Sequence, residues 1–368
     1  MKILYLTNIP SPYRVDFFEE LGKLCDLTVL YERSIADDRE RGWMKNRSLN
    51  FKSIYLSGVS VHSDSALCVS VIKYLKDKSY DAIIVGGYST PTGMLAIQYL
   101  NMIKRPFILN GDGGFIKADS PLKYKIKKYF IGSAKAWLSS GVTTTEYMVK
   151  YRANIKYIHE YPFTSLTKKE ILNELIDCNK KRVLKEKLGI KENKVIISVG
   201  RYIKLKGFDT LINSMKFIPK DYGVYIIGGK PTEEYLDLKE KLNLENLYFV
   251  DFKSKEELEE YYMVADLFVF PTRNDIWGLV INEAMAKGLP IITTEMCGAG
   301  VELIINDING YIIPIDNHKL LGNKINIVLN NDKLRNEMSS NNLKKIKFYT
   351  IEEMAKSHFK FLKEFLKC

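Results

Sequence analysis

Short apolar runs alternate with longer segments of helical period along most of this chain. In the first half, apolar runs at 3–7, 27–31, 53–56, 82–85 and 107–110 predict strands, and 15–24, 67–75, 94–103 and 122–130 carry apolar residues at helical spacing. Short strands at 136–139 and 156–158 finish this set. Regular strand-helix alternation predicts an α/β domain with a doubly wound parallel sheet. From 165 to 193 the chain turns polar and rich in Lys and Glu, with one amphipathic helix around 181–188, which reads as a connection. The alternation restarts at 195–199 and runs through strands at 224–227, 247–250, 267–270, 291–294 and 311–313, with helices between them that include 256–264 and 318–330. The organisation expected is therefore a first domain over 1–164, a connection over 165–193, a second domain over 194–350 and a C-terminal helix over 351–368. That helix carries Met354, His358, Phe361, Leu362 and Phe365 on one face.

The most informative stretch is DLFVFPTRNDIWGLVINEAMAKGLPIITTEMCGAGVELIINDINGY, residues 266–311. A strand breaks at Pro271, a polar turn ends at Gly278, a helix runs over 279–287 and stops at Gly288-Leu289-Pro290, and a second strand follows. Asp275 and Glu283 stand with seven residues between them, one in the turn and one in the helix. Between them lies the helix N-terminus, with backbone N–H groups at Gly278, Leu279 and Val280 and the positive end of the helix dipole. Such a turn suits a diphosphate with a diol on either flank, the carboxylates about 12 Å apart at ~1.5 Å per helical residue. A nucleotide sugar has that layout. The plainer alternative makes Asp275 a helix cap and Glu283 a solvated helix residue. Upstream, the strand at 195–199 leads into G200-R201-Y-I-K-L-K206-G207 and a helix over 208–215. Two cations on a strand-to-helix loop can neutralise a leaving diphosphate. Alone they read more readily as surface charges.

D275-I-W-G-L-V-I-N-E283-A-M-A-K-G-L-P resembles E-x-F-G-L-x-x-x-E-A-M-A-x-G-x-P, the signature of family 4 of retaining glycosyltransferases, with Asp in place of the first Glu. The segment from Gly200 to Gly207 is similar to that family's G-R-(x)4-K-G loop. The resemblance is specific over about 194–314 and elsewhere a matter of pattern. It implies two facing Rossmann-like domains, the GT-B fold, with the C-terminal helix crossing back to the first domain. It also implies roles: Arg201, Lys206, Gly200 and the N–H groups at Gly278, Leu279 and Val280 on the donor diphosphate, Glu283 on the ribose, and Asp275 on the sugar. UDP is the commonest donor in the family, and the leaving phosphate itself takes the acceptor proton. No metal is expected: there is no Asp-x-Asp between strands, and His62, His159, His318 and His358 lack ligand spacing.

The first domain carries weaker signals. N8-I-P-S-P-Y-R14 stands where many relatives have a glycine pair, and the wider segment resembles members that build bacterial surface polysaccharides. Tyr13 and Arg14 are candidates for the acceptor side, with helix-start packing as the alternative. G86-G87-Y-S-T90 follows a strand where a crevice wall is expected. In N110-G-D-G-G114, Asp112 occupies roughly the place of a polar residue that the family sets against the transferred sugar; it is a candidate catalytic residue or a plain turn aspartate.

Charge and composition then narrow the setting. At 46% apolar and 27% charged the chain is of ordinary soluble composition, and no run reaches the ~18 to 20 apolar residues of a membrane span. Its start reads as a strand rather than a signal peptide, so a cytoplasmic protein is expected. Five cysteines, Cys25, Cys68, Cys178, Cys297 and Cys368, lack any C-x-x-C and read as reduced thiols; Cys297 sits in the glycine-rich turn as a small packing residue or a site wall. The net charge of +11 calls for a polyanionic or membrane-surface partner. In 120–131, Lys123, Lys125, Lys127 and Lys128 interleave with Leu122, Tyr124, Ile126, Tyr129, Phe130 and Ile131. Leu122, Ile126, Tyr129 and Phe130 share one helical face with lysines on its flanks, the layout of a helix lying on the inner face of an anionic membrane, or of a packed helix with solvated lysines.

The expectation is thus a metal-independent retaining transferase acting on a nucleotide sugar and a glycan or polyprenyl-diphosphate-linked acceptor. An epimerase or sugar-phosphate synthase on the same scaffold, and a nucleic-acid-binding protein prompted by the charge, are the rivals; no recognisable RNA motif supports the latter.

Overall fold

A computed structural model describes residues 1–34 and 50–367; Cys368 lies outside them. In chain order the elements are β1 (Lys2–Thr7), α1 (Pro12–Gly22), β2 (Asp26–Tyr31), β3 (Lys52–Tyr55), β4 (Val59–His62), β5 (Ser65–Leu67), α2 (Val71–Leu75), β6 (Ala82–Val85), α3 (Pro91–Met102), β7 (Ile108–Gly111), α4 (Pro121–Gly132), β8 (Ala136–Ser139), α5 (Val142–Lys150) and β9 (Ile158–Glu160). They continue with α6 (Cys178–Leu188), β10 (Lys194–Val199), α7 (Phe208–Ser214), β11 (Tyr222–Ile227), α8 (Glu233–Lys241), β12 (Leu247–Val250), α9 (Lys255–Val264), β13 (Leu267–Phe270), α10 (Leu279–Ala286), β14 (Ile291–Thr294), α11 (Gly298–Leu303), β15 (Gly310–Ile313), α12 (His318–Leu329), α13 (Asp332–Ile346) and α14 (Ile351–Phe365).

The chain forms two compact units, residues 1–167 with the C-terminal segment from Tyr349, and Lys168–Phe348. The first is built on a seven-stranded sheet ordered β3-β2-β1-β6-β7-β8-β9, the second on a six-stranded sheet ordered β12-β11-β10-β13-β14-β15. Every pairing within these two sheets is parallel. Strands covered on both faces need apolar residues at every position, which is why β6, β8, β13 and β14 are continuously buried. Strand order reverses between β1 and β6 in the first sheet and between β10 and β13 in the second. The loops leaving these central strands diverge to opposite sides and open a crevice at the carboxyl edge of each sheet.

α14 belongs to the first unit and packs on α1. Thr350 caps it through the Glu353 N–H, and its apolar stripe buries Met354, His358, Phe361 and Leu362. His358 lies between Phe17 and Tyr161, donating through Nδ1 to the Met354 carbonyl, and burial lowers its imidazole to about 3. The segment at 165–193 is in large part structured: α6 is a helix of the second unit packed against α9, tied by Lys181 to Asp266 at 2.7 Å.

The helix expected over 67–75 is shorter, and an antiparallel hairpin of β4 and β5 precedes it. β4 alternates Val59-Ser60-Val61-His62, but none of its residues is buried, so the short alternation marks no core face. Polar bonds hold the hairpin instead: Glu32, at the end of β2, accepts from Ala66 N–H at 3.2 Å and Thr90 Oγ1 at 2.5 Å. Burial raises the Glu32 carboxyl to about 7.

Candidate active site

The switch point of the second sheet carries the chemistry. Gly200 follows β10, and Gly228, after β11, approaches it so closely that a Cβ at 228 would lie 1.9 Å from the Gly200 carbonyl oxygen. The chain then makes one tight turn over Lys204–Lys206, closed by Gly207 in the left-handed conformation at φ 66°. A Cβ on Gly207 would stand 2.1 Å from the Pro271 carbonyl oxygen, so glycine there lets the loops after β10 and β13 press together. Thr272 Oγ1 and the Arg273 N–H both donate to the Leu205 carbonyl, at 2.9 and 2.7 Å. Arg273 also donates to the Lys204 carbonyl at 2.6 Å and pairs with Asp209 and Asp316. The turn that presents Lys206 is therefore clamped from beneath.

Lys206 Nζ donates to Asp275 Oδ2 at 2.6 Å and sits 5.1 Å from the centre of the Phe270 ring. Each partner of this ion pair keeps about a fifth of its side chain exposed, at 18% and 21%. Asp275 is fixed by its backbone, donating to the Met296 carbonyl at 2.9 Å and accepting from Gly298 N–H at 3.1 Å. It does not cap α10. The N-cap is Gly278, left-handed at φ 94° and without any side-chain cap, which leaves the Leu279 and Val280 N–H groups for a ligand. Cys297 packs beneath this glycine: its thiol donates to the Trp277 carbonyl at 3.1 Å, and a Cβ on Gly278 would come within 2.8 Å of the sulfur. Burial pushes that thiol up to about 12, so Cys297 is a packing residue. Trp277 Nε1 donates to Asn282 at 2.9 Å and locks the start of the helix. Arg201 is exposed on the loop after β10.

Glu283 lies one turn into α10, partly buried, and accepts from the Tyr262 hydroxyl at 3.0 Å. Burial raises its carboxyl to about 7; the Tyr262 bond and the Lys255 charge pull the other way. It is not a solvated helix residue.

At the carboxyl edge of the first sheet, Asp112 and Arg14 are brought together. Arg14 is buried at the start of α1, donates to Asp112 Oδ2 and reaches the Tyr5 hydroxyl at 3.2 Å. The other oxygen of Asp112 accepts from Asn110 Nδ2 at 2.7 Å and Tyr161 Oη at 3.1 Å. Asp112 keeps 33% of its side chain exposed while Arg14 keeps 3%, so Arg14 is an internal support and Asp112 the group a ligand can reach. Tyr13 stands edge-on to Phe163.

On α4, Leu122, Ile126 and Tyr129 are exposed, whereas Phe130 and Tyr124 pack on the core. Lys123 and Lys125 face solvent, and Lys128 lies 5.8 Å from the Tyr124 ring centre. Lys127 turns inward to Asp119 at 3.0 Å and to the Tyr151 hydroxyl at 3.2 Å, so it belongs to the packing of the unit rather than to a cationic flank.

Tyr262, Arg273 and Tyr161 carry no signal in the sequence: each acts through a partner far along the chain, and none lies in a spacing pattern that marks it. Among the described residues, no three His, Cys, Asp or Glu side chains gather as metal ligands, and no helix is long and apolar enough to cross a membrane.

Two parallel-sheet units, the second carrying a basic turn, an uncapped helix and a carboxylate pair at its switch point, make up the GT-B fold of glycosyltransferases. The chain superposes with a TM-score of 0.80 on the Anabaena HepE protein solved in complex with UDP, over 99% of this chain and 100% of that one at 16% identity. Residues 180–345, all within the second unit, match the family described as Glycosyl transferases group 1. It is 34% identical over 198 residues to the capsular polysaccharide biosynthesis glycosyltransferase CapM of Staphylococcus aureus, 51% of this chain and 52% of CapM. The chain thus spans about half the length of that relative. It is 21% identical over 294 residues, 73% of each chain, to a Campylobacter jejuni N,N'-diacetylbacillosaminyl-diphospho-undecaprenol alpha-1,3-N-acetylgalactosaminyltransferase.

Proposed function

We propose that this protein is a metal-independent, retaining glycosyltransferase that moves a sugar from a UDP-sugar to a glycan or polyprenyl-diphosphate-linked glycan in surface polysaccharide biosynthesis. The observation that carries the reading is the placement of Lys206, Asp275 and the uncapped start of α10 at one switch point. The names of CapM, HepE and the Campylobacter enzyme support the donor, the acceptor class and the setting by likeness.

Lys206 and Asp275 neutralise each other in the structure. A diphosphate arriving at the α10 N-terminus offers Lys206 a doubly charged partner, and Lys206 exchanges Asp275 for it. That exchange frees Asp275 to accept from hydroxyls of the sugar, while Glu283 accepts from the ribose. As the glycosidic bond breaks, negative charge grows on the departing phosphate, and Arg201, Lys206 and the Leu279 and Val280 N–H groups take it up. Stabilisation therefore increases along the reaction coordinate, which is the condition for catalysis. A phosphate oxygen on the leaving face takes the acceptor proton, so the new bond keeps the donor's anomeric configuration. Asp112, supported by Arg14, lines the acceptor side with Tyr13, and an attack by its carboxylate is the alternative route to the same stereochemistry. The exposed apolar face of α4, with Lys123, Lys125 and Lys128, rests on the cytoplasmic face of the membrane where a lipid-linked acceptor is met.

The test is transfer from a panel of UDP-sugars to a lipid-linked acceptor in excess chelator, with the product's anomeric configuration read by NMR. Product of the donor's configuration, formed at an undiminished rate, is expected. Strict dependence on magnesium or manganese, or an inverted product, overturns the mechanism.

A further inference from the structure

The amino edge of the first sheet, away from the edge that carries Asp112, holds a groove of about 670 Å³. Lys76, Lys78, Lys104 and Arg105 line it together with Tyr80 and Tyr99. Arg105 forms the wall: its guanidinium donates to the Leu75, Asp77 and Tyr80 carbonyls at 2.8, 2.7 and 2.9 Å and stitches the ends of α2 and α3 together. The three lysines are exposed, and among the described residues no carboxylate pairs with any of them. The acid within reach, Asp77, accepts from the Ser79 N–H at 2.8 Å and faces Lys2 and Arg105.

Lys104 makes the cluster more than an accident of a basic chain. It closes α3 in the left-handed conformation, at φ 54°, with its N–H on the Asn101 carbonyl and the next N–H on the Leu100 carbonyl. Helices end in this way on glycine, because a Cβ is strained there. A lysine is thus kept at a position that favours glycine, and its ammonium joins the groove. Beside it the surface turns apolar: Met102 is 68% and Ile103 41% exposed at the end of α3. The exposed face of α4 continues that patch, since the Tyr129 hydroxyl donates to Gln98 of α3 at 2.7 Å.

We propose that this groove binds the phosphate of an anionic phospholipid, with Lys76, Lys78 and Lys104 around the headgroup and Met102, Ile103, Ile126 and Tyr129 against the interface. The proposal rests on the membrane-surface reading of α4 and adds a headgroup site to it. Three unpaired cations beside apolar residues match a charged head on an apolar chain; a free phosphate leaves the apolar rim unexplained.

The experiment is cosedimentation of the full chain with vesicles of phosphatidylcholine alone or with about 30% phosphatidylglycerol. Two variants are compared with the parent: Lys76→Ala/Lys78→Ala/Lys104→Gly, and Leu122→Ser/Ile126→Ser. The triple variant is expected to lose about tenfold or more in affinity for the anionic vesicles while binding UDP as the parent does. Its melting temperature should not fall, because glycine relieves the strain at 104. Parent-like vesicle binding by the triple variant, with loss in the α4 variant, overturns the headgroup site and leaves the membrane reading standing. A parent that binds neither vesicle overturns both, while UDP binding in the same sample leaves the transferase reading intact. Inorganic phosphate that displaces the protein at constant ionic strength and raises its melting temperature without vesicles overturns the lipid as ligand in favour of a free phosphate.

Discussion

Glu283 carries the most direct pH signature in the molecule. A buried carboxyl raised from 4.5 to about 7 holds a proton that the unfolded chain has already released. Its contribution to stability is therefore complete below about pH 4.5 and is lost as pH rises through 7. Binding runs the other way. A ribose diol is held by the ionised carboxylate, so the affinity for a UDP-sugar should rise between pH 6 and 8, by up to about tenfold per unit below 7. A UDP-sugar is the right probe because its diphosphate does not titrate in that range. Calorimetry at several pH values checks this; a flat profile for the parent, or an unchanged one in Glu283→Gln, removes the ribose role. Asp275 and Lys206 give the second prediction at this scale. Because Asp275 pairs with Lys206 and competes with a diphosphate for it, Asp275→Asn should bind free UDP more tightly than the parent and transfer sugar more slowly. Weaker UDP binding in Asp275→Asn would show that the ion pair organises the site instead of guarding it. Asp275 and Glu283 were legible from spacing because one turn and one helix fix both. Tyr262, which holds Glu283, and Arg273, which clamps the turn carrying Lys206, were not, since tertiary contacts alone bring them there.

At the scale of elements, the switch-point strands were readable because a strand buried on both faces leaves an unbroken apolar run, as in β13 and β14. α10 was readable from its closing Gly288 and its opening Gly278. The β4–β5 hairpin was not, because it is held by Glu32, Thr90 and Ala66 rather than by a buried apolar face. α4 shows a subtler limit. Its periodicity groups Leu122, Ile126, Tyr129 and Phe130, of which the first three are exposed while Phe130 packs on the core, and composition cannot tell an inward lysine from an outward one. Lys127 bonds Asp119 and Tyr151 and lies 5.2 Å from the Tyr147 ring centre. Lys127→Ala should therefore lower the melting temperature, and Lys125→Ala should leave it nearly unchanged, because a solvated lysine contributes little. Equal melting curves would mean that the Asp119 cluster is not part of the packing. Membrane binding is accordingly probed on Lys123, Lys125 and Lys128 with Lys127 left in place.

At the scale of the molecule, two parallel-sheet units of similar plan divide the work without sharing a sequence repeat, because what they share is the crossover rule and the carboxyl-edge crevice rather than side chains. The net charge of +11 has a local cause in the first unit, where lysines without acidic partners gather at the amino edge and four lysines on α4 share the single carboxylate of Asp119. Vesicle binding should therefore weaken steeply with salt, while donor binding, which uses charges in a partly enclosed crevice, should weaken less. A similar salt dependence for both would place donor and membrane on one surface. In the proposed mechanism the second unit's switch point holds a nucleoside diphosphate through Lys206, Arg201 and the start of α10. Isothermal titration of UDP into the parent and into Lys206→Ala tests it most directly. Saturable binding by the parent, weakened about tenfold or more in the variant while its melting temperature is kept, is the expected result. Equal affinity in the two proteins would contradict it.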